Sequence, residues 1–408
     1  MRQLLCALGS PHQKLPHVLV AGTNGKGSTA VLLASILAAG GYRTGLYTSP
    51  HLESVRERLR LDGRSIDGSE LARRLERVVA VAERELGERP TYFEALTAIA
   101  FSLFADEAEI AVMEVGLGGR LDATNCGSPI AALIAEIGID HGEILGRDLR
   151  AIAREKAGVL RGGRPAVVCV GSPDARDELD SRARQLGADW HDVTSECRWR
   201  RTGSGLELET PNRDYSLQPK LVGSHQQRNI ALAVRGAELL SVAGWSGVTR
   251  QAIEVGVARV CWPGRLEMVD LPSGQRVALD AAHNLQSALA LRAWLEGTGR
   301  SYRLLFGVLL EKNGPELLRT LADGATRVVL TAPRSSRAMA PDGLVDAVTS
   351  CSPSVVPDPS SALTAALDGA SELVVVCGSI YLVGEVRRLL NRRYGVPTPA
   401  AELDLFAG

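Results

Sequence analysis

The 408-residue sequence predicts an α/β fold in two domains, each built on a mostly parallel sheet, and three observations carry that prediction. Short β-rich runs alternate with helical patterns along nearly the whole chain, the pattern of βαβ units. A glycine-rich loop joins the first strong strand candidate to a helix, so a site is expected at the carboxyl ends of the strands. A second alternating series opens at Val277, after Pro263-Gly264 has interrupted regular structure. The length also exceeds what one hydrophobic core usually serves.

Taken in order, His17–Ala21 (HVLVA) reads as the first strand, and a helical pattern covers 28–39 until Gly40-Gly41 stops it. The next strand candidate is 43–48, followed by helical stretches at 68–87 and 91–105. Further strands are expected at 110–115, 131–139 and 167–170. Residues 188–219 are more polar and suggest a small antiparallel addition. The second series has strands at 277–280, 303–308, 327–330 and 373–377, each followed by a helical pattern. The boundary is placed in the stretch 261–265, dividing the chain into 1–262 and 263–408.

Composition narrows the function classes. The chain has 46 basic and 47 acidic side chains and a formal charge of −1. That balance argues against a broad nucleic-acid or acidic-membrane footprint. No apolar run approaches the roughly 18 residues of a membrane span, and the first residues lack the apolar stretch of a signal peptide. Seven scattered cysteines without a C-x-x-C pair point away from a disulfide framework, so a reducing cytoplasm is expected.

The stretch Gly22, Thr23, Asn24, Gly25, Lys26, Gly27, Ser28 and Thr29 lies between strand and helix. Its glycines let backbone N–H groups turn around phosphate oxygens, and the helix N-terminus adds positive potential. Lys26 would reach the terminal phosphates, while Ser28 and Thr29 offer hydroxyls to phosphate or Mg²⁺. The pattern departs from G-x-x-x-x-G-K-[ST] because Gly27 follows the lysine. A plain glycine-rich helix cap is the bland alternative, but strand, loop, lysine and helix in register favour nucleotide binding.

Glu114 and Asp140-His141 close strand candidates, and Ser49 closes another. An acid at a strand end suits a nucleotide-bound Mg²⁺, which prefers oxygen ligands and keeps several waters. A histidine on Mg²⁺ is less usual, so His141 reads more readily as a polar neighbour of the site than as a ligand. Gly116–Asp122 could face substrate or form a tight turn with a solvated ion pair. Glu155-Lys156 sits in a helical pattern, where such a pair is commonly solvated surface. Asp280 and His283 follow a strand of the second series; the alternatives there are a ligand across an interdomain cleft and a helix cap.

These stretches together resemble the folate branch of the Mur ligase superfamily, folylpolyglutamate synthase and dihydrofolate synthase, over nearly the whole chain. GTNGKGST at 22–29 resembles the superfamily phosphate loop, and TSPHL at 48–52, EVGLGGRLDATN at 114–125 and Asp140-His141 resemble the folate enzymes. EKAG at 155–158, WPGR at 262–265 and DAAHN at 280–284 match as well. The resemblance implies an N-terminal P-loop ATPase domain and a C-terminal Rossmann-like α/β domain. It implies ATP and two Mg²⁺, with Ser49, Glu114, His141 and a carbamylated Lys156 as metal ligands. A carbamate turns the lysine into an oxygen ligand and needs a neutral amine, so Lys156 is expected to be desolvated. Asn229 matches a residue near adenine, Arg265 one that reaches the ATP phosphates, and Asp280 and His283 residues that meet ATP on closure. Phe93, Asp122 and Ala123 match the pterin-binding side.

The implied reaction adds L-glutamate to tetrahydrofolate or dihydropteroate through an acyl phosphate, in a cytoplasmic monomer with no nucleic-acid or membrane partner. Lys26, Lys156, Asp280 and His283 are the implied catalytic groups. Two departures from the family pattern are Glu311-Lys312-Asn313, where Asp-Lys-Asp is frequent, and Leu285, where proline is common. The chain also starts about twenty residues before the phosphate loop, where the family carries a longer segment that helps bind dihydropteroate. A peptidoglycan-precursor ligase of the same superfamily is the competing enzyme reading. A nucleotide-binding regulatory protein that has lost ligation is the non-enzyme reading.

Overall fold

The computed structural model describes residues 1–203 and 205–407. An eight-stranded sheet is made from β1 (His17–Ala21), β2 (Thr44–Tyr47), β3 (Leu59–Leu61), β4 (Arg64–Ser65), β5 (Ile110–Glu114), β6 (Ala131–Ile134), β7 (Pro165–Val168) and β8 (Asp189–Asp192). Its order is β4-β3-β2-β5-β1-β6-β7-β8. The pairs from β2 to β8 are parallel, and β3 and β4 add an antiparallel edge. Strands β1 and β5 are buried throughout, as expected when both faces of a parallel sheet are covered.

Register places the site. Val20 lies opposite Glu114 and Ala21 opposite Ile134, so the carboxyl ends of β1, β5 and β6 stand side by side. Helix α1 (Lys26–Ala39) leaves the end of β1 and is buried from Ser28 to Leu37. Its apolar character all round follows from packing against the sheet and against α2 (Ser224–Val242) and α3 (Arg250–Arg259).

A three-stranded antiparallel sheet, β9 (Arg198–Thr202), β10 (Gly205–Glu209) and β11 (Asp214–Leu217), follows β8. The second main sheet comprises β12 (Glu267–Asp270), β13 (Arg276–Leu279), β14 (Tyr302–Phe306), β15 (Ala325–Leu330), β16 (Ser354–Val355) and β17 (Leu373–Cys377). Its order is β12-β13-β17-β14-β15-β16, parallel except for the β12–β13 edge pair. Leu279 lies opposite Val376, which brings the end of β13 beside the start of the last helix, α4 (Ile380–Tyr394).

The chain differs from the sequence expectations at particular points. The strand expected at 131–139 ends at Ile134, because the Glu136 carbonyl turns away from the sheet to accept the Thr23 and Asn24 N–H groups at 2.8 and 3.2 Å. The helix expected from 28 begins at Lys26, with Gly25 as its left-handed cap. Of the polar region 188–219, only β9–β11 form the antiparallel addition, while β8 extends the main parallel sheet. The antiparallel edges β3–β4 and β12 had not been expected. All seven cysteines are free.

The two sheets are tied together by buried charge. Arg387 on α4, fully buried, donates to Glu267 at 2.9 and 3.0 Å and to Glu53 at 2.6 Å. The C-terminal residues return to the first sheet: Arg60 donates to the Ala400 and Leu403 carbonyls, and Leu405 and Phe406 join the core around α1.

Candidate active site

The phosphate loop leaves β1 as a tight curve. Gly25 has φ of +83°, and a Cβ there would collide with Asn229 Oδ1, so glycine is required twice over. Lys26 Nζ donates to the Thr23 carbonyl at 3.1 Å, and Thr23 Oγ1 donates to the Gly138 carbonyl at 3.0 Å. Burial lowers the Lys26 pKa, opposed by the charges of Glu114 and Asp140. Thr29 Oγ1, Trp262 Nε1 and His225 Nδ1 are buried without hydrogen-bond partners around this loop and the helices facing it. Such atoms can be satisfied by a polar ligand or by water.

Glu114, at the end of β5, is 4% exposed and accepts the Ser49 N–H at Oε2, 3.0 Å away. No hydrogen bond engages Oε1 among the described residues. Burial raises the carboxyl pKa, and Lys26 opposes that rise. His141 has a left-handed backbone, φ of +52°, and a side chain 46% exposed beside Asp140; burial lowers its pKa. The described residues contain no group of three or more His, Cys, Asp or Glu side chains able to hold a metal. Glu114, a buried carboxylate with Oε1 unengaged beside Ser49, is nevertheless the kind of oxygen ligand that Mg²⁺ takes, since Mg²⁺ needs few protein ligands and retains waters.

Lys156 is not a surface partner of Glu155. It is 3% exposed and donates to the Gly22 carbonyl at 2.7 Å, while Glu155 pairs with Arg120 at 3.0 Å. Burial, and then the charge of Lys26, lower the Lys156 pKa to about 7. A neutral amine is therefore accessible near neutral pH.

The second sheet supplies the facing wall. Asp280 is buried, with both oxygens accepting backbone N–H groups from Leu266 and Ala282 at 2.9 Å. Burial raises its pKa. His283 Nδ1 lies 2.8 Å from the Ala281 carbonyl, and its Nε2 lies 3.7 Å from Asp140. The two walls touch directly: Asn24 Nδ2 donates to Gln286 at 2.7 Å, and Asn284 donates to Asn24 at 3.0 Å and to Asp140 at 3.2 Å. Lys312 donates to Asp140 at 2.6 Å. Burial by itself would raise the Asp140 pKa, but the Lys312 bond and charge, with His141 and His283, hold it down at about 2.

One cavity of about 670 Å³ collects most of these groups. Gly22 to Ser28 line it with Ser49, Glu114, His141 and Lys156 from the first sheet, and with Asn229 from α2. Arg265, Asp280 and His283 close the opposite side. Thr29 is buried behind the loop. Phe93, Asp122 and Ala123 do not line the cavity. Phe93 packs under Gly116, where a Cβ would lie 2.5 Å from its ring. Asp122 accepts from Leu117 N–H and from Thr124 N–H and Oγ1, so its carboxylate holds its own loop. Gln286, Lys312 and the cavity-lining Trp199 and Arg228 were not singled out by sequence as site residues. Lys312 had a signal in the Glu311–Asn313 stretch, whereas Trp199 and Arg228 come from separate elements and carried none.

Fold and cavity define a protein with a phosphate-loop α/β unit facing a second α/β unit across the nucleotide-sized space. The Mur ligase middle domain matches residues 20–237, and the Mur ligase glutamate ligase domain matches 264–380. A Bacillus subtilis dihydrofolate synthase/folylpolyglutamate synthase is 32% identical over 407 residues, covering 96% of this chain and 94% of the relative. Escherichia coli FolC in complex with DHPP and ADP superposes with a TM-score of 0.84 at 29% identity, covering 96% of this chain and 92% of that one. A bifunctional folylpolyglutamate synthase/dihydrofolate synthase with Mn, AMPPNP and L-glutamate bound gives 0.84 at 30% identity, covering 96% and 93%. The chain belongs to the Mur ligase superfamily, in its folylpolyglutamate synthase/dihydrofolate synthase branch.

Proposed function

We propose that this chain is an ATP-dependent ligase that adds L-glutamate to a folate, to dihydropteroate, or to both, releasing ADP and phosphate. The observation that carries the reading is the single cavity in which the phosphate loop and Glu114 face Arg265, Asp280 and His283. The substrate carboxylate attacks the γ-phosphorus of ATP, forming an acyl phosphate as ADP leaves. The amine of glutamate then attacks the acyl carbon, phosphate departs, and the nitrogen loses a proton to give the amide. The similarity to structures holding ADP, AMPPNP, DHPP and L-glutamate supports these substrates.

Lys26 and the loop N–H groups offset negative charge on the transferring phosphoryl, with Arg265 reaching it from the other wall. Asn229 neighbours the adenine, and the pterin would lie at the Gly116 side of the cavity, where Phe93, Asp122 and Ala123 support the wall from behind. Asp280 holds the turn that presents His283, since its oxygens are already engaged by backbone. Ser49, Glu114, His141 and a carbamylated Lys156 would hold two Mg²⁺, which supply Lewis-acid polarisation of phosphoryl oxygens when bound. The divalent cation is supported by a relative with Mn bound; the carbamate is supported by the burial of Lys156 and its lowered pKa.

Residues 1–262 act as the ATP-binding unit, with the returning tail at 400–406 packed on it, and the rest of 263–408 as the glutamate-ligase unit, closing to exclude water from the acyl phosphate. The chain works as a cytoplasmic monomer; no helix among the described residues is long and apolar enough to cross a membrane. Incubation with ATP, radiolabelled glutamate and either dihydropteroate or tetrahydrofolate tests the reading. Label in neither product, or ATP hydrolysis stimulated only by a muramyl nucleotide, would overturn it.

A further inference from the structure

A second cavity, of about 380 Å³, lies outside the site described above, on the seam between the two units. One side is the loop after β2, at His51, Leu52 and Glu53; the other is Arg334 and the face of α4 that carries Tyr381, Glu385, Arg388 and Arg392. Both glutamates are already committed. Glu53 accepts from Arg387 at 2.6 Å, and Glu385 pairs with Arg334 at 3.0 Å.

Arg388 and Arg392 are therefore left without a carboxylate. They sit one helical turn apart, on the same face of α4, where like charges repel. Arg388 makes a single bond to the Glu53 carbonyl at 3.2 Å, and Arg392 makes no hydrogen bond or ion pair among the described residues. Beside them, His51 Nδ1 accepts Arg58 Nε–H at 3.0 Å, which fixes the proton of the neutral ring on Nε2. Two guanidiniums without a carboxylate partner, with His51 beside them, around one concave space suit an anion with several planar acceptor groups, and guanidinium forks match carboxylates two points at a time.

The position links this space to the chemistry. A small cavity of about 30 Å³, lined by Ser49, Leu52, Arg265 and Ile380 among others, shares residues with both. Ser49 and Arg265 belong to the nucleotide cavity, and Leu52 to the second one. A glutamyl group held at Arg388 and Arg392 would thus lie on the far side of Leu52 from the phosphoryl-transfer centre.

We propose that this seam cavity is a carboxylate site for glutamyl groups. The proposal rests on the ligase reading for its ligand. Two sources share that chemistry: free L-glutamate on its way to the acyl phosphate, and the γ-glutamyl tail of a folate already extended.

Isothermal titration of the full chain with L-glutamate, with a γ-linked glutamate trimer and with inorganic phosphate tests it. One glutamyl probe is expected to bind, and R388Q and R392Q are each expected to weaken it roughly tenfold or more, as for hydrogen bonds to charged groups. Weakening for the trimer assigns the site to the tail; weakening for glutamate assigns it to the incoming amino acid. R393Q removes a charge from the same helix but contacts Ser360 and Thr364 instead, and should leave binding unchanged. Unchanged glutamyl binding in both R388Q and R392Q, or phosphate binding as tightly as either glutamyl probe, would overturn the proposal. Binding needs no turnover. Glutamyl binding without ligation would sink the function above and spare this site, and ligation with unchanged binding in the variants would do the reverse.

Discussion

The two ends of the central strand β1 bury ionisable groups under similar starvation for partners, yet only one end is a site. At the carboxyl end, Lys26, Lys156 and Glu114 converge within one cavity. At the amino end, His17 is fully buried, its Nδ1 lies 2.9 Å from the Leu15 carbonyl, and its Nε2 has no partner. His17 stacks edge-on against Phe101, with ring centroids 5.5 Å apart. Burial of a titratable group is thus no mark of function by itself. What separates the ends is space: helix N-terminus, glycines and strand ends hold the upper end open, while aromatic packing fills the lower.

Variants at the two ends should separate accordingly. Lys26→Ala carries the largest expected effect, a fall in ligation turnover of roughly 10³-fold or more, because a buried charge facing the phosphoryl group is lost. Turnover within tenfold of the parent would end the phosphate-loop assignment. Glu114→Gln keeps the shape and the Ser49 contact but removes the charge, and should cost roughly 10²–10³ in kcat. The same variant should shift the Mg²⁺ concentration needed for half-maximal rate upward; an unchanged Mg²⁺ dependence would remove Glu114 from the metal site.

Lys156→Arg preserves a cation but cannot form the lysine carbamate, and is expected to lose about 10²-fold in rate. A crystal structure showing a bare Lys156 amine far from any metal would sink the carbamate. The smallest effect belongs to the closed end. Burial lowers the His17 pKa to about 4 from 6.5, opposed by its bond to Leu15. The unfolded chain therefore takes up a proton that the folded chain refuses between these values, so stability falls as pH drops from 6.5 towards 4. The contribution is on the order of 3 kcal/mol. Urea midpoints at pH 7 and 4.5 should drop less in His17→Gln than in the parent; equal drops would mean that His17 is not the group responsible.

Much of the upper end is legible in the chain itself. The strand, loop and helix at 17–39 follow from a β-rich run, glycines and a helical repeat, all local signals. Glu114, Ser49 and Asp140-His141 could be placed towards the ligand because each ends a strand candidate. The Glu155-Lys156 pair is where local reading and burial part company. Neighbours in a helix suggest a surface ion pair, yet Glu155 turns to Arg120 and Lys156 reaches Gly22. The early end of β6 has the same origin, since the Glu136 carbonyl is drawn to the phosphate loop rather than to a strand.

The sequence by itself determined the alternation of strands and helices, the phosphate loop and the chemistry at strand ends, because backbone preferences act over a few residues. Tertiary structure alone decided which charges are starved of partners. Lys156 is buried where it reaches the Gly22 carbonyl of the phosphate loop, and Asp140 meets Lys312 only across the seam. Arg388 and Arg392 are left unpaired only because Glu53 and Glu385 are taken by other arginines. Those outcomes depend on contacts between residues 51 to 334 positions apart, and no local pattern encodes them.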